Sequence, residues 1–529
     1  MRPYQLPVVL LLVLFFLWTS ATETAKQCDE GFAVYNAERV MDGDLPYRDF
    51  RANYAPAQFY TLAWLFRAFG PSLTVSRSFD TLLRFLIALL IYFYARKLVA
   101  QEWALVALAL AALLLGTNGY YGYAMIPALL LSLASALCLL RFIGGGPALW
   151  LVAAGFGTGV VELYRQDIGA YTAACLGFIL LLFTYTRETS HRFQRLLKHE
   201  AIYVSSMCLV IVPVCLYFVS AGGWKDLWYD LFVFPGTVLH AIRSLPFPSL
   251  FLNPFPLSEL QWNALEWIRF YFPLIVYAGV FFQAAFTWKR SLSSGRLGME
   301  FYATVLLAIL GMMFFAQAWS RNDPVHLLPT TIVALVLTVK LLSGYEFVNR
   351  PLWIKATSAL AIVVLLWIYV GIPVRKWRRV GSIYSLTGCQ SPNGRAGCVP
   401  VEPAQARAIQ YVQSLVPPGG KIYSGSARHD QVFSNDMLFY FLSGHHSGTR
   451  FHEVVPRLTN TLQVQERIVK DLIQEKVRCL VLYSGFDKFK EPNASRENSG
   501  VTYLDNFIHS NFQPVQKFDN YTVWTSKIH

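Results

Sequence analysis

The feature that most constrains this chain is the grouping of its apolar residues into blocks near twenty residues long, separated by short polar segments. A helix of about 20 residues crosses a hydrocarbon core of about 30 Å, and only a backbone that satisfies its own hydrogen bonds persists there. The fold class expected is therefore a polytopic α-helical membrane protein. Composition agrees: 55% of residues are hydrophobic and 15% charged, whereas soluble chains are about half apolar and a quarter charged. Spans are expected near Pro7–Ser20, Thr81–Val99, Trp103–Leu115, Tyr123–Phe142, Trp150–Glu162, Ala170–Thr186, Ala201–Ser220, Ile268–Thr287, Phe301–Trp319, Val325–Leu342 and Ala356–Val374, about eleven transmembrane helices in all. Trp103–Leu115 and Trp150–Glu162 are short for a crossing and are expected to extend into their polar flanks.

A net charge of +13 raises the question of a nucleic-acid partner, but the basic residues collect in short loops between spans. Arg96-Lys97, Arg141, Arg187–Glu200 and Trp288–Arg296 share one side if the N-terminus is inside, as the positive-inside rule requires. The run Arg375–Arg379 alone emerges on the other side, where it suits anionic lipid headgroups. Met1–Ala21 is expected to be a retained span and not a cleaved signal peptide, because its apolar core is long enough for a membrane helix.

This topology divides the chain into a membrane part, residues 1–374, whose first outer loop is 21–79, a basic cysteine-containing linker at 375–399, and a soluble α/β domain at 400–529 on the outer face. In that last part helices are expected at Pro403–Val416, Asp436–Leu442, Leu462–Glu475 and Val501–Asn511, alternating with strands at "KIYSG", "RCLVLYSG" and "YTVWTS". In the first loop, Phe59, Leu62, Ala63, Leu65, Phe66 and Phe69 recur at helical spacing, as in an amphipathic surface helix. Cys389 and Cys398 bracket a turn-rich segment of the linker, and a disulfide between them suits an oxidising compartment. His445, His446 and His452 lack a metal-ligand spacing and are expected in a surface loop.

Ionisable residues at the membrane boundary are costly and mark functional candidates. Three such clusters fall on one face: Asp29-Glu30 just past the first span, Arg165 and Asp167 in "ELYRQDIGAY", and Arg321, Asp323 and His326 in "AWSRNDPVHLLP". Carboxylates and arginines together suit transfer of a group from a membrane-embedded phospholipid carrier to a hydroxyl. A carboxylate takes the acceptor proton, while a guanidinium stabilises charge growing on the departing phosphate.

The stretch "DEGFAVYNAERVMDGDLPYRDF…NYAPAQFYTLAWLFRAFG" resembles the first outer loop of the GT-C class of membrane glycosyltransferases, especially bacterial relatives of protein O-mannosyltransferases and aminoarabinose transferases. "RQDIG" and "RNDPVHLLP" resemble polar junctions in bacterial members. The resemblance implies inverting sugar transfer from a polyprenyl-phosphate-linked donor to a lipid, glycan or protein acceptor. It assigns the catalytic base to Asp29, with Glu30 as a supporting or alternative acid. Phosphate or substrate binding goes to Arg165 and Arg321, with Asp167, Asp323 and His326 as orienting or acceptor-contacting groups. Some members use a divalent metal, and Asp29, Glu30, Asp323 and His326 are the available ligands, although no metal-ligand spacing is present. The location implied is an integral multi-pass protein of the cytoplasmic (inner) membrane if bacterial, in contact with membrane lipids and not with nucleic acid.

The competing reading is a secondary transporter or a flippase for lipid-linked sugars. Transport sites lie near the midplane between two related halves, whereas these charges sit at helix ends on one face. Asp80 and Arg84, at the entrance of the second span, are explained as an i, i+4 pair.

Overall fold

The computed structural model describes residues 5–187, 191–251, 256, 259–294, 297–344, 351, 360 and 394–527. The apolar blocks become α1 (Gln5–Ser20), α4 (Leu73–Leu98), α5 (Gln101–Thr117), α6 (Met125–Ile143), α7 (Leu149–Tyr164), α8 (Gln166–Arg187), α9 (Arg192–Ser220), α12 (Leu260–Ser294), α13 (Met299–Phe315) and α15 (Leu328–Ser343). Between them lie α2 (Asp29–Met41), α3 (Ala57–Phe69), and the short α10 (Trp224–Trp228), α11 (His240–Arg243) and α14 (Gln317–Ser320). Six helical segments are long and apolar enough to cross a membrane, so length alone supports six of the expected eleven spans. Four shorter apolar helices, Leu6–Ser20, Gln101–Thr117, Leu149–Tyr164 and Leu328–Ser343, coincide with further expected spans. The remaining one, Ala356–Val374, lies outside the described residues, as does the basic run Arg375–Arg379. Both short spans did extend into their flanks, to Gln101–Thr117 and Leu149–Tyr164.

The membrane helices share one core in which Ile87, Leu108, Leu133, Leu176, Leu306 and Val333 are fully buried. By contrast α9 and α12 expose Leu209, Leu216, Ile275 and Phe282. An apolar face left open on a helix of that length fits lipid better than water.

Above this layer α2 is buried on every side from Glu30 to Val40. A helix with so many polar residues tolerates such burial only when sandwiched between partners that satisfy them. One partner is α3, whose Phe59, Leu62, Ala63 and Phe66 face inward as the spacing predicts, while Phe69 is exposed. The other is α17 (Leu438–Ser443). A Cβ on Gly31 would stand 2.2 Å from the Leu438 nitrogen, so α17 reaches α2 only because that residue has no side chain. The "PYRDF" segment is a tight turn: the Asp49 carboxylate accepts from the Leu45 N–H and from Arg48. Tyr47 holds a left-handed φ of 71° with its hydroxyl bonded to the Tyr54 carbonyl. Packing over-determines that strained backbone, since Tyr47 and Phe50 are both fully buried.

The C-terminal segment carries α16 (Pro403–Leu415), β1 (Tyr423–Ser426), α17, α18 (Leu462–Gln474), β2 (Cys479–Tyr483), α19 (Tyr503–Asn511), β3 (Phe512–Phe518) and β4 (Tyr521–Ser526). Its sheet runs β1-β2-β4-β3, parallel between β1 and β2 and antiparallel elsewhere. The expected helices and strands are present. Strand β3 is additional: Gln513–Lys517 are exposed and include Pro514, which a strand accepts only at a sheet edge. Without apolar alternation it leaves no strand signal in sequence.

Tyr35, Leu62 and Phe66 share a core with Ala408, Tyr440 and Val523, which ties the first loop to the C-terminal segment. This corrects the placement of the histidines. His445 and His452 are buried, the latter packed edge-on against Tyr35 at 5.0 Å, because their segment lies against α2 and not at a free surface. Cys398 is disulfide-bonded; Cys389, its expected partner, lies outside the described residues.

Candidate active site

The two acids that open α2 point apart. The positive end of the helix favours both, but their neighbours differ. Glu30 turns inward, where its carboxylate receives the Arg77 guanidinium through two bonds of 2.6 and 2.8 Å and the Lys26 N–H at 2.8 Å. Arg77, from α4, also donates to the Ala21 and Glu23 carbonyls. Both side chains of the pair are almost fully buried, at 1% and 4% exposure.

One turn further along α4, Asp80 holds the Arg84 Nε at 2.9 Å. Arg84 donates to the carbonyls of Leu115, Asn118 and Gly119 and lies 4.0 Å over the Tyr120 ring. Glu23 meanwhile accepts the Tyr120 N–H at 2.8 Å. One face of α4 therefore clamps the start of the first loop and the turn after α5 together. That turn carries Tyr123.

Asp29 retains partial access to solvent and receives a hydrogen bond from Tyr123. Burial pushes its pKa above the usual carboxylate range, opposed by Tyr123, Arg243 and His326 and reinforced by Asp323. Tyr54 lines the same space, with ring centroids 5.7 Å from Phe32 and 6.5 Å from Tyr123.

The other two clusters arrive at this point. Arg165, which ends α7, binds Asp167 through Nε at 2.9 Å and lies 5.8 Å over the Tyr54 ring. Asp323 accepts the backbone N–H of Val325 and His326 and the His326 ring nitrogen at 2.8 Å. Despite its burial, these bonds and Arg321 hold Asp323 well below the usual carboxylate range. Arg321 is fully engaged: Nε meets Asp323 at 2.6 Å, Nη1 meets the Arg243 carbonyl and Glu491, and Nη2 meets Glu491 at 2.5 Å.

Sequence reasoning missed Arg243 and Glu453. Arg243 closes α11, donates to the Phe433 carbonyl at 3.3 Å and stacks 4.8 Å over that ring. Among the described residues no carboxylate lies within ion-pair distance of it. It faces Asp29, Glu491 and Glu453, whose own carboxyl is raised by burial. The loop carrying Arg243 has no apolar period and no neighbouring charge cluster to flag it, and Glu453 is distant in sequence from every other member. Neither carries a local signal.

Among the described residues no group of three or more His, Cys, Asp or Glu side chains converges to hold a metal ion. Asp323 and His326 are committed to each other and Glu30 to Arg77, so the candidate ligand set is not assembled.

Comparison with protein-family models and with curated proteins returns no match. Comparison with solved structures finds ArnT from Cupriavidus metallidurans in the apo state, 15% identical over 99% of this chain and 98% of that one, with a TM-score of 0.58. The same protein bound to undecaprenyl phosphate matches with a TM-score of 0.53. The oligosaccharyltransferase of Archaeoglobus fulgidus in its apo form is 12% identical, covers 91% of this chain and 70% of that one, and has a TM-score of 0.54. The arabinofuranosyltransferase AftD from Mycobacteria is 12% identical with a TM-score of 0.51, and this chain spans 40% of its length. The fold is that of the GT-C membrane glycosyltransferases.

Proposed function

We propose that this GT-C-fold chain is an inverting glycosyltransferase that moves a sugar from a polyprenyl-phosphate-linked donor to a hydroxyl of a lipid, glycan or protein acceptor. The observation that carries the reading is Asp29: a recessed carboxylate of raised pKa, fed by the Tyr123 hydroxyl and facing Arg243, where the Arg165 and Asp323–His326 clusters also meet. A base whose pKa lies above the ordinary carboxylate range is better matched to proton abstraction near neutrality.

In the reaction the acceptor oxygen attacks the anomeric carbon from the face opposite the phosphate. The bond from that carbon to the phosphate oxygen breaks, the hydroxyl proton passes to Asp29, and the polyprenyl phosphate leaves as an anion. No second acid is required. Arg243, and the Nη groups of Arg165 left after its bond to Asp167, are the guanidiniums with donors to offer that phosphate. Arg321 is assigned to positioning, since each of its nitrogens already has a partner. Glu30 takes the supporting role, locking the start of α2. Asp323 and His326 orient one another beside Asp29.

Lipid phosphates seen in the structural neighbours support the carrier class: ArnT was captured with undecaprenyl phosphate, and the Archaeoglobus enzyme with a dolichol-phosphate and an inhibitory peptide. Residues 1–374 would form the catalytic membrane domain and 400–529 an outer-face domain covering α2, joined by the linker 375–399. If the protein is bacterial, it lies in the cytoplasmic (inner) membrane with this face on the periplasmic side.

The test is transfer from a panel of defined polyprenyl-phosphate sugars by purified protein. Wild type is expected to transfer from one of them and Asp29→Asn to lose that activity. Failure of wild type across the panel, together with movement of labelled lipid across vesicles, would establish a flippase instead.

A further inference from the structure

We infer that the C-terminal segment positions Asp29, in the role proposed for it above, through a chain of hydrogen bonds that ends on Gln27, so that Gln27 and Tyr521 are positioning residues of the reaction centre. The chain starts at Asp436, which is fully buried just ahead of α17. A carboxyl taken out of water needs hydrogen-bond partners, and each of its oxygens has them. Oδ1 accepts the Phe439 N–H at 3.1 Å, as a helix cap does. Oδ2 accepts Nε2 of Gln405, from α16, at 2.6 Å and the hydroxyl of Tyr521, from β4, at 2.7 Å.

Capping of α17 accounts for Oδ1. What Oδ2 reaches, through Tyr521, is the stretch that enters α2. The Tyr521 oxygen accepts from the Gln27 side-chain nitrogen at 2.9 Å. That nitrogen also donates to Glu402, just before α16, at 3.0 Å, and Gln27 Oε1 accepts from the hydroxyl of Tyr483, which ends β2, at 3.3 Å. Both hydrogens and the oxygen of the Gln27 amide are thus taken by partners 375 residues or more along the chain. Donors in series that converge on one buried carboxyl polarise and stiffen one another.

The backbone of the same stretch is gripped as well. The Ala25 N–H donates to the Pro400 carbonyl at 2.9 Å, the Gln27 carbonyl accepts the Leu438 N–H at 3.0 Å, and Cys28 Sγ meets the Asn435 carbonyl at 3.5 Å. Tyr123, which donates to Asp29, comes instead from the turn ahead of α6. The placement of Asp29 against Tyr123 therefore depends on how the C-terminal segment holds residues 25–28 over the membrane helices, with the Glu30–Arg77 pair as the anchor on the α4 side. A misplacement of about 1 Å at a reacting group can lower a rate by about 10²-fold, and a lock on the residues just ahead of Asp29 works at that tolerance.

The test uses the full chain in detergent, with the half-buried Cys28, which lies between Gln27 and Asp29, as probe. Its alkylation by N-ethylmaleimide, followed by mass spectrometry of the peptide that carries it, reads release of this stretch with neither donor nor acceptor present. Tyr521→Phe is expected to speed alkylation about 2–10-fold, the equivalent of one net hydrogen bond, and Gln27→Ala to speed it further. Tyr423→Phe removes a 2.9 Å bond to His429 in the same segment but outside the chain, and should leave the rate unchanged. In transfer assays with the polyprenyl-phosphate sugar that wild type accepts, Tyr521→Phe and Gln27→Ala should lower kcat about 10–100-fold at an unchanged donor KM, whereas Tyr423→Phe should retain the wild-type kcat. Unchanged alkylation in both chain variants, or equal acceleration in Tyr423→Phe, would overturn the lock. Faster alkylation at a wild-type kcat would overturn the positioning role. Asp29→Asn tests the base through activity alone, so failure of that reading and failure of the lock are told apart.

Discussion

Adjacent acids in one helical turn are expected to fail in opposite ways when each is made neutral. Glu30→Gln keeps the shape but removes the charge that balances Arg77, leaving a guanidinium at 4% exposure against an amide nitrogen. Breaking a buried ion pair by removing one partner costs about 3–5 kcal/mol. Unfolding entropies near 2.1 cal/mol/K per residue, taken over 529 residues, give roughly 1.1 kcal/mol per degree. The apparent Tm should therefore fall by about 3–5 °C. Protein that remains folded should retain most of its transfer rate, because the Glu30 carboxylate is enclosed by Arg77 and Lys26 and touches no substrate space. Asp29→Asn should do the reverse. Burial already disfavours the Asp29 charge, so its loss leaves the Tm unchanged or slightly raised, while removal of a general base lowers the rate by about 10²–10⁴-fold. Melts followed by tryptophan fluorescence in detergent, paired with transfer assays on the same preparations, read both quantities. A stable, inactive Glu30→Gln beside an active Asp29→Asn would refute the division of roles.

The acid limb of kcat/KM is expected above the ordinary carboxylate pKa of about 3.9, and Tyr123→Phe should move it to still higher pH, because that hydroxyl favours ionised Asp29. A limb unmoved by the variant would separate Tyr123 from the base. Arg243→Gln should raise the donor KM by about 10–100-fold, the loss of one charge-assisted hydrogen bond worth about 1.5–3 kcal/mol; an unchanged KM would remove it from the phosphate site. Asp436, pushed up to about 7 chiefly by burial, holds a proton in the folded chain that the unfolded carboxyl releases near 3.9. Stability should therefore fall as pH rises from about 4 to 7, and Asp436→Asn should flatten a plot of Tm against pH. Labelling of Ser414→Cys, an exposed position on α16, by an impermeant maleimide in intact cells should succeed if the C-terminal segment lies outside, and protection would reverse the orientation.

Periodicity and apolar block length determine a great deal here by themselves. A twenty-residue apolar run in water has no stable alternative to a buried or lipid-facing helix, so the order of the membrane helices follows from the sequence. So do the shift to an α/β segment after them and the Asp80–Arg84 pair, which is a consequence of i, i+4 spacing. The three polar clusters stand out for the same reason: charge at a membrane boundary is conspicuous.

What local pattern does not contain is which charges cancel. Asp29 and Glu30 are equivalent in any window of sequence, and only the arrival of Arg77 from α4 makes one a strut, while burial beside Tyr123 and Arg243 leaves the other with a raised pKa. Arg321 looked like a free phosphate ligand until Glu491, 170 residues away, occupied it. Edge strand β3 and the buried His452 went unread because each depends on a neighbour brought in by the fold: β4 for the one, α2 for the other. Short-range preference sets where helices form, whereas the ionisation and availability of a side chain depend on burial and on partners hundreds of residues distant, quantities that exist only once the chain has packed.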